Sequence, residues 1–261
     1  MIAGLDIGGT NTQAVLMDGR KIIAKTSVPR NSLSAARKCI DYIRKHGNPE
    51  KVAVTGGGAR KLSREILGSA FTRVDEMDAI GKGGMFLSGR KDIFVVSLGT
   101  GTAFVSARNG RSEHVGGTAM GGGTIMGLSS IMTGGDPDHA EKLSRKGDRK
   151  LDLTVGEIVG GPIGRIPEYA IASNFGKARK GAKKSDVSLS LLNMIAESIG
   201  VTAYFAAKSH EQEKRILICG RVAVNCVIKK RIIQTVKVMG GKAHIPENAE
   251  YCGALGAALS V

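Results

Sequence analysis

Asp6, Gly8, Gly9, Thr10, Asn11 and Thr12 stand together near the start of the chain, a carboxylate followed by a glycine pair and hydroxylic residues. Glycines let main-chain N–H groups approach an anion closely, hydroxyls add donors, and a carboxylate beside the anion is where a divalent cation would sit. The chemistry these residues spell is phosphate binding with magnesium. Ser97, Gly99, Thr100, Gly101 and Thr102 repeat the pattern later in the chain. Each set lies between apolar, β-branched runs, Ile2 to Ile7 and Gln13 to Met17 around the first, with Ile93 to Ala107 enclosing the second. Such runs read as paired strands, so each set becomes the tip of a hairpin. Two hairpins of one design predict a duplicated architecture, with one phosphate loop per lobe and a nucleotide clamped between them.

A general base is the other requirement of phosphoryl transfer to an alcohol. Asp75, Glu76 and Asp78 place three carboxylates at the expected start of a helix running to Leu87. Acids are favourable at a helix N-terminus, so the cluster reads either as a cap or as a base facing the hairpins. Thr55 to Gly58 follows a short strand from Lys51 and precedes a helix expected from Arg60. That turn either touches phosphate or lets the helix pack tightly on a sheet. The longest glycine-rich tract, His114 to Leu128 with Gly121, Gly122 and Gly123, flows into an apolar helix, whose N-terminus would favour an anion.

The ordered set is specific although each piece is weak. Asp-x-Gly-Gly-Thr at Asp6, Thr-Gly-Gly at Thr55, Glu-x-Asp-Ala at Glu76, Gly-Thr-Gly-Thr at Gly99 and Val-Gly-Gly-Thr-x-x-Gly-Gly-Gly at Val115 come first. Ser-Asn-Phe-Gly at Ser173 and a terminal Glu-Asn-x-x-Tyr-x-Gly-Ala-Leu-Gly-Ala at Glu247 complete it. From Ile2 to Leu259 the chain resembles the type II pantothenate kinases, within the actin, Hsp70 and sugar-kinase superfamily. The resemblance implies a two-lobed α/β, actin-like ATPase fold of the ribonuclease H-like kind, with ATP and Mg2+ as cofactors. It implies Glu76 as catalytic base, Asp6 supporting magnesium and phosphate, and Gly121 to Gly123 and Gly220 against the nucleotide. It also implies Ser97 to Thr102 facing both substrates, and Asn174 near the site.

Two positions depart from the family. His114 stands where an arginine binds the pantothenate carboxylate, and a histidine is shorter and largely neutral near pH 7. Arg221 follows Gly220 where a small hydroxylic residue is common, and could meet nucleotide phosphate or a surface carboxylate. The acceptor is therefore pantothenate or another primary alcohol, with a non-catalytic nucleotide- or coenzyme-A-binding regulator as the reading from another class.

The chain has 261 residues, 42% of them hydrophobic, with 37 glycines, no tryptophan and a net charge of +15. The basic runs, Lys142 to Lys150, Lys177 to Lys184 and Lys229 to Arg231, carry no interleaved aromatics as a nucleic-acid stacking surface would need, so no nucleic-acid partner is expected. No uninterrupted apolar run reaches a membrane span and no signal peptide precedes the first strand, so no membrane partner and a cytoplasmic location are expected. Cys39, Cys219, Cys226 and Cys252 form no C-x-x-C pair and read as buried free thiols.

Ser32 is expected to cap a helix carrying Leu33, Ala36, Cys39, Ile40 and Ile43. Ser185 is expected to cap a helix of about 24 residues. In the resembling family a long helix from this region forms a homodimer interface. Further on, Arg215 to Cys219 reads as a strand, Val222 to Val238 as a helix, and Lys242 to Ile245 as a last strand. Ala249 to Ala258 reads as a small-residue helix for close packing across a hinge. Tyr251 either walls a substrate pocket or joins the core. The lobes divide as 1–90 and 91–261.

Overall fold

The computed structural model describes residues 1–29, 32–63, 67–68 and 70–261, and its frame is two sheets built on one plan. β1 (Ile2–Ile7), β2 (Thr12–Asp18) and β3 (Lys21–Val28) form an antiparallel meander, with Ile7 opposite Thr12 at the first tip. Across β1, the strands β4 (Lys51–Thr55) and β5 (Thr72–Arg73) add in parallel, giving the order β3-β2-β1-β4-β5. β6 (Asp92–Leu98), β7 (Thr102–Arg108) and β8 (Arg111–Thr118) form the second meander. A two-stranded ribbon of β9 (Leu153–Thr154) and β10 (Ile171–Ser173) stands apart. β11 (Ile216–Cys219) and β12 (Ala243–His244) then extend β6 in parallel, so the second sheet reads β12-β11-β6-β7-β8. The two orders are the same, which is the duplication expected from the two hairpins.

Helices cover the sheets. α1 (Leu33–Arg44) starts where the Ser32 hydroxyl accepts from the Ala35 N–H, and it buries Ala36, Cys39, Ile40 and Ile43 against the first sheet. α2 (Glu76–Ser88) ends at Gly89 in the left-handed region. After β8 come α3 (Gly122–Thr133), α4 (Pro137–Ser144), α5 (Val155–Val159) and the 26-residue α6 (Lys184–Ser209). α7 (Cys226–Val238) and α8 (Cys252–Ala258) close the chain. By length and composition α6 is apolar enough to cross a membrane, but its Leu191, Leu192, Ile195 and Ile199 are fully buried with Phe94, Ile216 and Ile232 in the second lobe's core.

The lobes each lend the other a helix. α2 packs on β6, β7 and β8, whereas α8, from the far end of the chain, packs on β1, β2 and β4, and α2 and α8 lie against each other. Their approach is backbone to backbone: a Cβ on Gly256 would stand 1.7 Å from the Ala79 carbonyl, and one on Gly83 2.0 Å from that of Cys252. The run of small residues in the C-terminal helix exists to allow this crossing.

Several boundaries differ from the sequence reading. Gly57–Lys61 is a 3-10 turn, and the helix expected from Arg60 runs into residues 64–66 and 69, outside the described ones. Arg221–Val224 is likewise a separate 3-10 turn, because the Asn225 side chain accepts from the Val227 and Ile228 N–H groups and starts α7 there. α6 begins at Lys184 with no side-chain cap, since the Ser185 hydroxyl donates to Asp186 instead. Ala249–Tyr251 is a 3-10 turn before α8. Three cysteines are buried free thiols, but Cys226 is exposed, at the start of α7.

Candidate active site

A cleft of about 760 Å³ opens between the sheets, floored by the two hairpin tips. Gly8, Gly9, Thr10 and Asn11 line it from the first lobe, and Ser97, Gly99, Thr100, Gly101 and Thr102 from the second. The tips touch, since a Cβ on Gly9 would lie 2.4 Å from the Thr100 Oγ1. Internal bonds hold each loop's shape, from the Gly8 N–H to the Asn11 carbonyl at 3.0 Å and from the Gly99 N–H to the Gly101 carbonyl at 2.9 Å. The Thr102 hydroxyl donates to the Met120 carbonyl, tying the second hairpin to the glycine tract.

Asp6 ends β1 and lines the same cleft. Glycines make room for its carboxylate on two sides: a Cβ on Gly253 would fall 2.2 Å from Oδ2, and one on Gly56, at φ +87°, 2.5 Å from Oδ1. Burial first, and the charge of Glu76 second, push the Asp6 carboxyl up to about 7. A cation at Asp6 would offset both costs.

The acidic cluster at the start of α2 divides its labour. The Asp75 carboxylate accepts from the Met77 N–H at 2.8 Å and the Asp78 N–H at 3.2 Å, which makes it the cap. Glu76 is thereby freed from capping and lines the cleft with its side chain accessible. Desolvation by the cleft wall, then the neighbouring Asp75 charge, raise its pKa above the ordinary carboxyl value. A carboxylate that holds a proton more readily than usual, set opposite two phosphate-type loops, can accept a hydroxyl proton there.

Six carboxylates line the cleft, Asp6, Glu76, Asp136, Asp138, Glu141 and Glu250, against one cationic side chain among the described residues, Arg221. Arg221 follows Gly220, whose φ of +92° sets its backbone against Leu98, where a Cβ would meet the Leu98 carbonyl at 2.4 Å. Glu141 is held by the Asn225 side chain and the Cys226 N–H, while Asp136 caps α4 through the His139 N–H.

The expected residues do not all converge. Thr12 is buried at the start of β2, behind the tip. Of the tract's glycines Gly122 lines the cleft and Gly121 and Gly123 do not, while Thr118, Ile125 and Met126 of the same tract also line it. The tract's amides are not offered to an anion: the Gly122 N–H donates to the Gly99 carbonyl at 2.8 Å, that of Gly123 to Thr100 at 2.9 Å, and that of Gly121 to the Thr124 hydroxyl. The tract buttresses the second hairpin, and a Cβ on Gly121 would crowd Thr100 and Gly101. His114 is exposed on β8, opposite Val105, and is not among the lining residues. Asn174 lies at a separate cavity of about 530 Å³, its amide donating to Glu197 at 3.0 Å. Tyr251 is in the core with Val15, Met17 and Leu255, with Lys25 over its ring. Sequence reasoning passed over Gln13, Asp138 and Glu141, which carry no glycine signal, and it weighed Arg221 only as a departure.

A family model described as Fumble matches residues 92–260. A type II pantothenate kinase of Bacillus cereus is 30% identical over 270 residues, covering 98% of this chain and 97% of its own. One from Oceanobacillus iheyensis is 27% identical over 268 residues, covering 98% of each. Among solved structures, the activator of the 2-hydroxyisocaproyl-CoA dehydratase from Clostridium difficile with bound ADPNP superposes with a TM-score of 0.69 at 19% identity. It covers 99% of this chain and 92% of that one. A ROK hexokinase from Thermus thermophilus gives 0.60 at 14%, covering 99% and 96%. These two likenesses are of fold, and the fold is the two-lobed actin-like α/β plan. With the family model matching well over half its length and relatives matching nearly all of it, the chain belongs to the Fumble family and is a relative of the type II pantothenate kinases.

Proposed function

We propose that this protein is an ATP-dependent kinase that phosphorylates the primary hydroxyl of pantothenate to 4'-phosphopantothenate in coenzyme A biosynthesis. The observation that carries the reading is Glu76, freed from capping by Asp75 and lining the cleft that the two hairpins floor. In this reading Glu76 accepts the hydroxyl proton as the alcohol oxygen attacks the terminal phosphorus and the bond to the ADP oxygen breaks. The hairpin tips hold the transferring group in line, and lobe closure keeps water from taking the alcohol's place.

Magnesium belongs to the same proposal. Among the described residues no cluster of three His, Cys, Asp or Glu side chains is placed to hold a metal. The donor set is that of a cation bound by one carboxylate, Asp6, together with substrate phosphates, which suits magnesium. When bound, the ion would neutralise phosphate charge in a cleft otherwise dominated by carboxylates.

The lobes are proposed to divide as 1–90 and 91–261, with α8 returning to the first. A homodimer along α6 and a cytoplasmic location complete the reading. The exposed Val201 and Phe205 of α6, with Ile166 and Tyr169 lining the cavity of about 530 Å³ together with Val201, support the dimer. A second reading keeps the reaction and changes the acceptor, because His114 does not line the cleft and, among the described residues, only Arg221 offers a cation there. ADP release with pantothenate, beside a panel of neutral and anionic primary alcohols, decides between them. A kcat/KM for pantothenate far above the panel supports the first reading, and silence with pantothenate beside turnover of another alcohol supports the second.

A further inference from the structure

The fold joins two basic runs that lie apart in the sequence. Residues 142–150 and 177–184 hold ten lysines and arginines against one carboxylate, Asp148. The Asp148 N–H donates to the Asp186 carboxylate at 2.8 Å and the Lys177 N–H to the Leu151 carbonyl at 2.9 Å, while α4 packs along α6. Both runs therefore lie on one flank of the second lobe, which carries most of the chain's net charge of +15. Arg145, Lys150 and Lys177 meet carboxylates, but Lys142, Lys146, Lys180, Lys183 and Lys184 are exposed and make no ion pair among the described residues. Lys183 and Lys184 also stand at the positive end of α6, where a cation has the unfavourable sign. Like charges gathered in this way repel one another and add nothing to folding, so what they offer is the field they project.

That field begins at the edge of the cleft. The Lys184 Nζ stands 3.7 Å from where a Cβ on Gly134 would sit, two residues before the cleft-lining Asp136, and Arg145 pairs at 2.9 Å with the cleft-lining Glu141. Inside, six carboxylates oppose the entry of a polyanion. We infer that this flank is an electrostatic guide, drawing a nucleoside triphosphate toward the acidic cleft. The inference rests on the kinase reading for the identity of the ligand, but not on which alcohol is phosphorylated. Exposed lysines on flexible stems suit a guide, because they attract phosphate without fixing it in one geometry. The two runs carry no aromatic to stack a base, so the attraction is for charge alone. A guide of this kind raises the association rate and leaves the bound state as it was.

The test combines Lys146→Gln, Lys180→Gln, Lys183→Gln and Lys184→Gln in one flank variant; none of the four lines the cleft. The matched control carries Lys38→Gln, Lys45→Gln, Lys91→Gln and Lys237→Gln, exposed lysines of other faces whose loss lowers the net charge equally and also spares the cleft. Stopped-flow fluorescence with methylanthraniloyl-labelled ATP and magnesium, and with labelled adenosine, reads association and dissociation rates at about 20 mM and about 500 mM salt. At low salt the association rate of labelled ATP should fall about three- to tenfold in the flank variant, with dissociation within about twofold of the wild type. The difference should close at high salt, and labelled adenosine should associate at the wild-type rate. Relief of like-charge repulsion leaves the variant's melting temperature equal or higher. An unchanged association rate for labelled ATP, an equal fall in the control, or a loss carried by faster dissociation would each overturn the guide. If the wild type binds labelled ATP but transfers phosphoryl to no alcohol, the kinase reading fails and the guide is still decided by these rates.

Discussion

Replacing Asp6 by Asn should make the empty protein more stable while removing its activity. The Asp6 carboxyl titrates at about 7 in the folded chain against an ordinary 3.8, with burial the larger cause and the Glu76 charge the smaller. Because the folded value is raised, the folded state binds the proton more tightly. The associated stability is fully present below 3.8 and is lost as pH rises through about 7. A shift of this size corresponds to about 4 kcal/mol at pH 8, falling to about 1 kcal/mol at pH 4.5. Asp6→Asn carries no such charge, so subtracting its stability from that of the wild type isolates this site from every other titrating group. The assay is urea denaturation of both proteins at pH 8 and pH 4.5 without magnesium or nucleotide. The variant should be more stable by roughly 2–4 kcal/mol at pH 8, with the gap largely closed at pH 4.5. Saturating Mg-AMPPNP should favour the wild type instead, since only its carboxylate can bind the cation. A gap of the same size at both pH values, or a variant less stable at pH 8, would refute the argument that Asp6 is held ionised at a cost.

The remaining predictions concern the base, the helix crossing and Arg221. The acid limb of the kcat/KM profile should lie above the ordinary glutamate value of 4.5, because desolvation and Asp75 raise Glu76. It should disappear along with a roughly 10²- to 10⁴-fold loss of rate in Glu76→Gln. Gly256→Ala should cost about 3 kcal/mol or more in denaturant titration, since its methyl would overlap the Ala79 carbonyl and neither backbone can retreat. Arg221→Ala should weaken ATP binding about three- to tenfold and adenosine binding hardly at all, with a shallower salt dependence of ATP affinity. Equal losses for ATP and adenosine would place Arg221 away from the phosphates.

Local signals carried most of the frame. Apolar runs broken by Gly-Thr tips are visible in the chain itself, so both hairpins and the duplication they imply were legible, as was α1 from Ser32 and its apolar stripe, whereas β5 and β8, which complete the repeated order, were not. What was not legible depends on partners distant in sequence. Glycines before a helix signal an accessible N-terminus, but at Gly122 and Gly123 those N–H groups are consumed by the carbonyls of the second hairpin. Asn174 looked like a ligand residue and instead meets Glu197, which is itself paired with the buried Arg231. Gln13 reads as an ordinary polar position in a strand, and only the register opposite Asp6 brings it to the cleft. The three acids at the start of α2 could not be separated by type or spacing, whereas two hydrogen bonds make Asp75 the cap and, of the three, Glu76 lines the cleft.

Transfer of a labelled γ-phosphoryl group from ATP to pantothenate, in wild type and Glu76→Gln, with Mg-AMPPNP affinity measured on both, tests the central claim most directly. The account predicts labelled 4'-phosphopantothenate from the wild type, essentially none from the variant, and nucleotide affinities that agree within a few-fold. Labelled product from Glu76→Gln at a rate near that of the wild type would contradict it, because the proton would then be leaving by a route that does not involve Glu76.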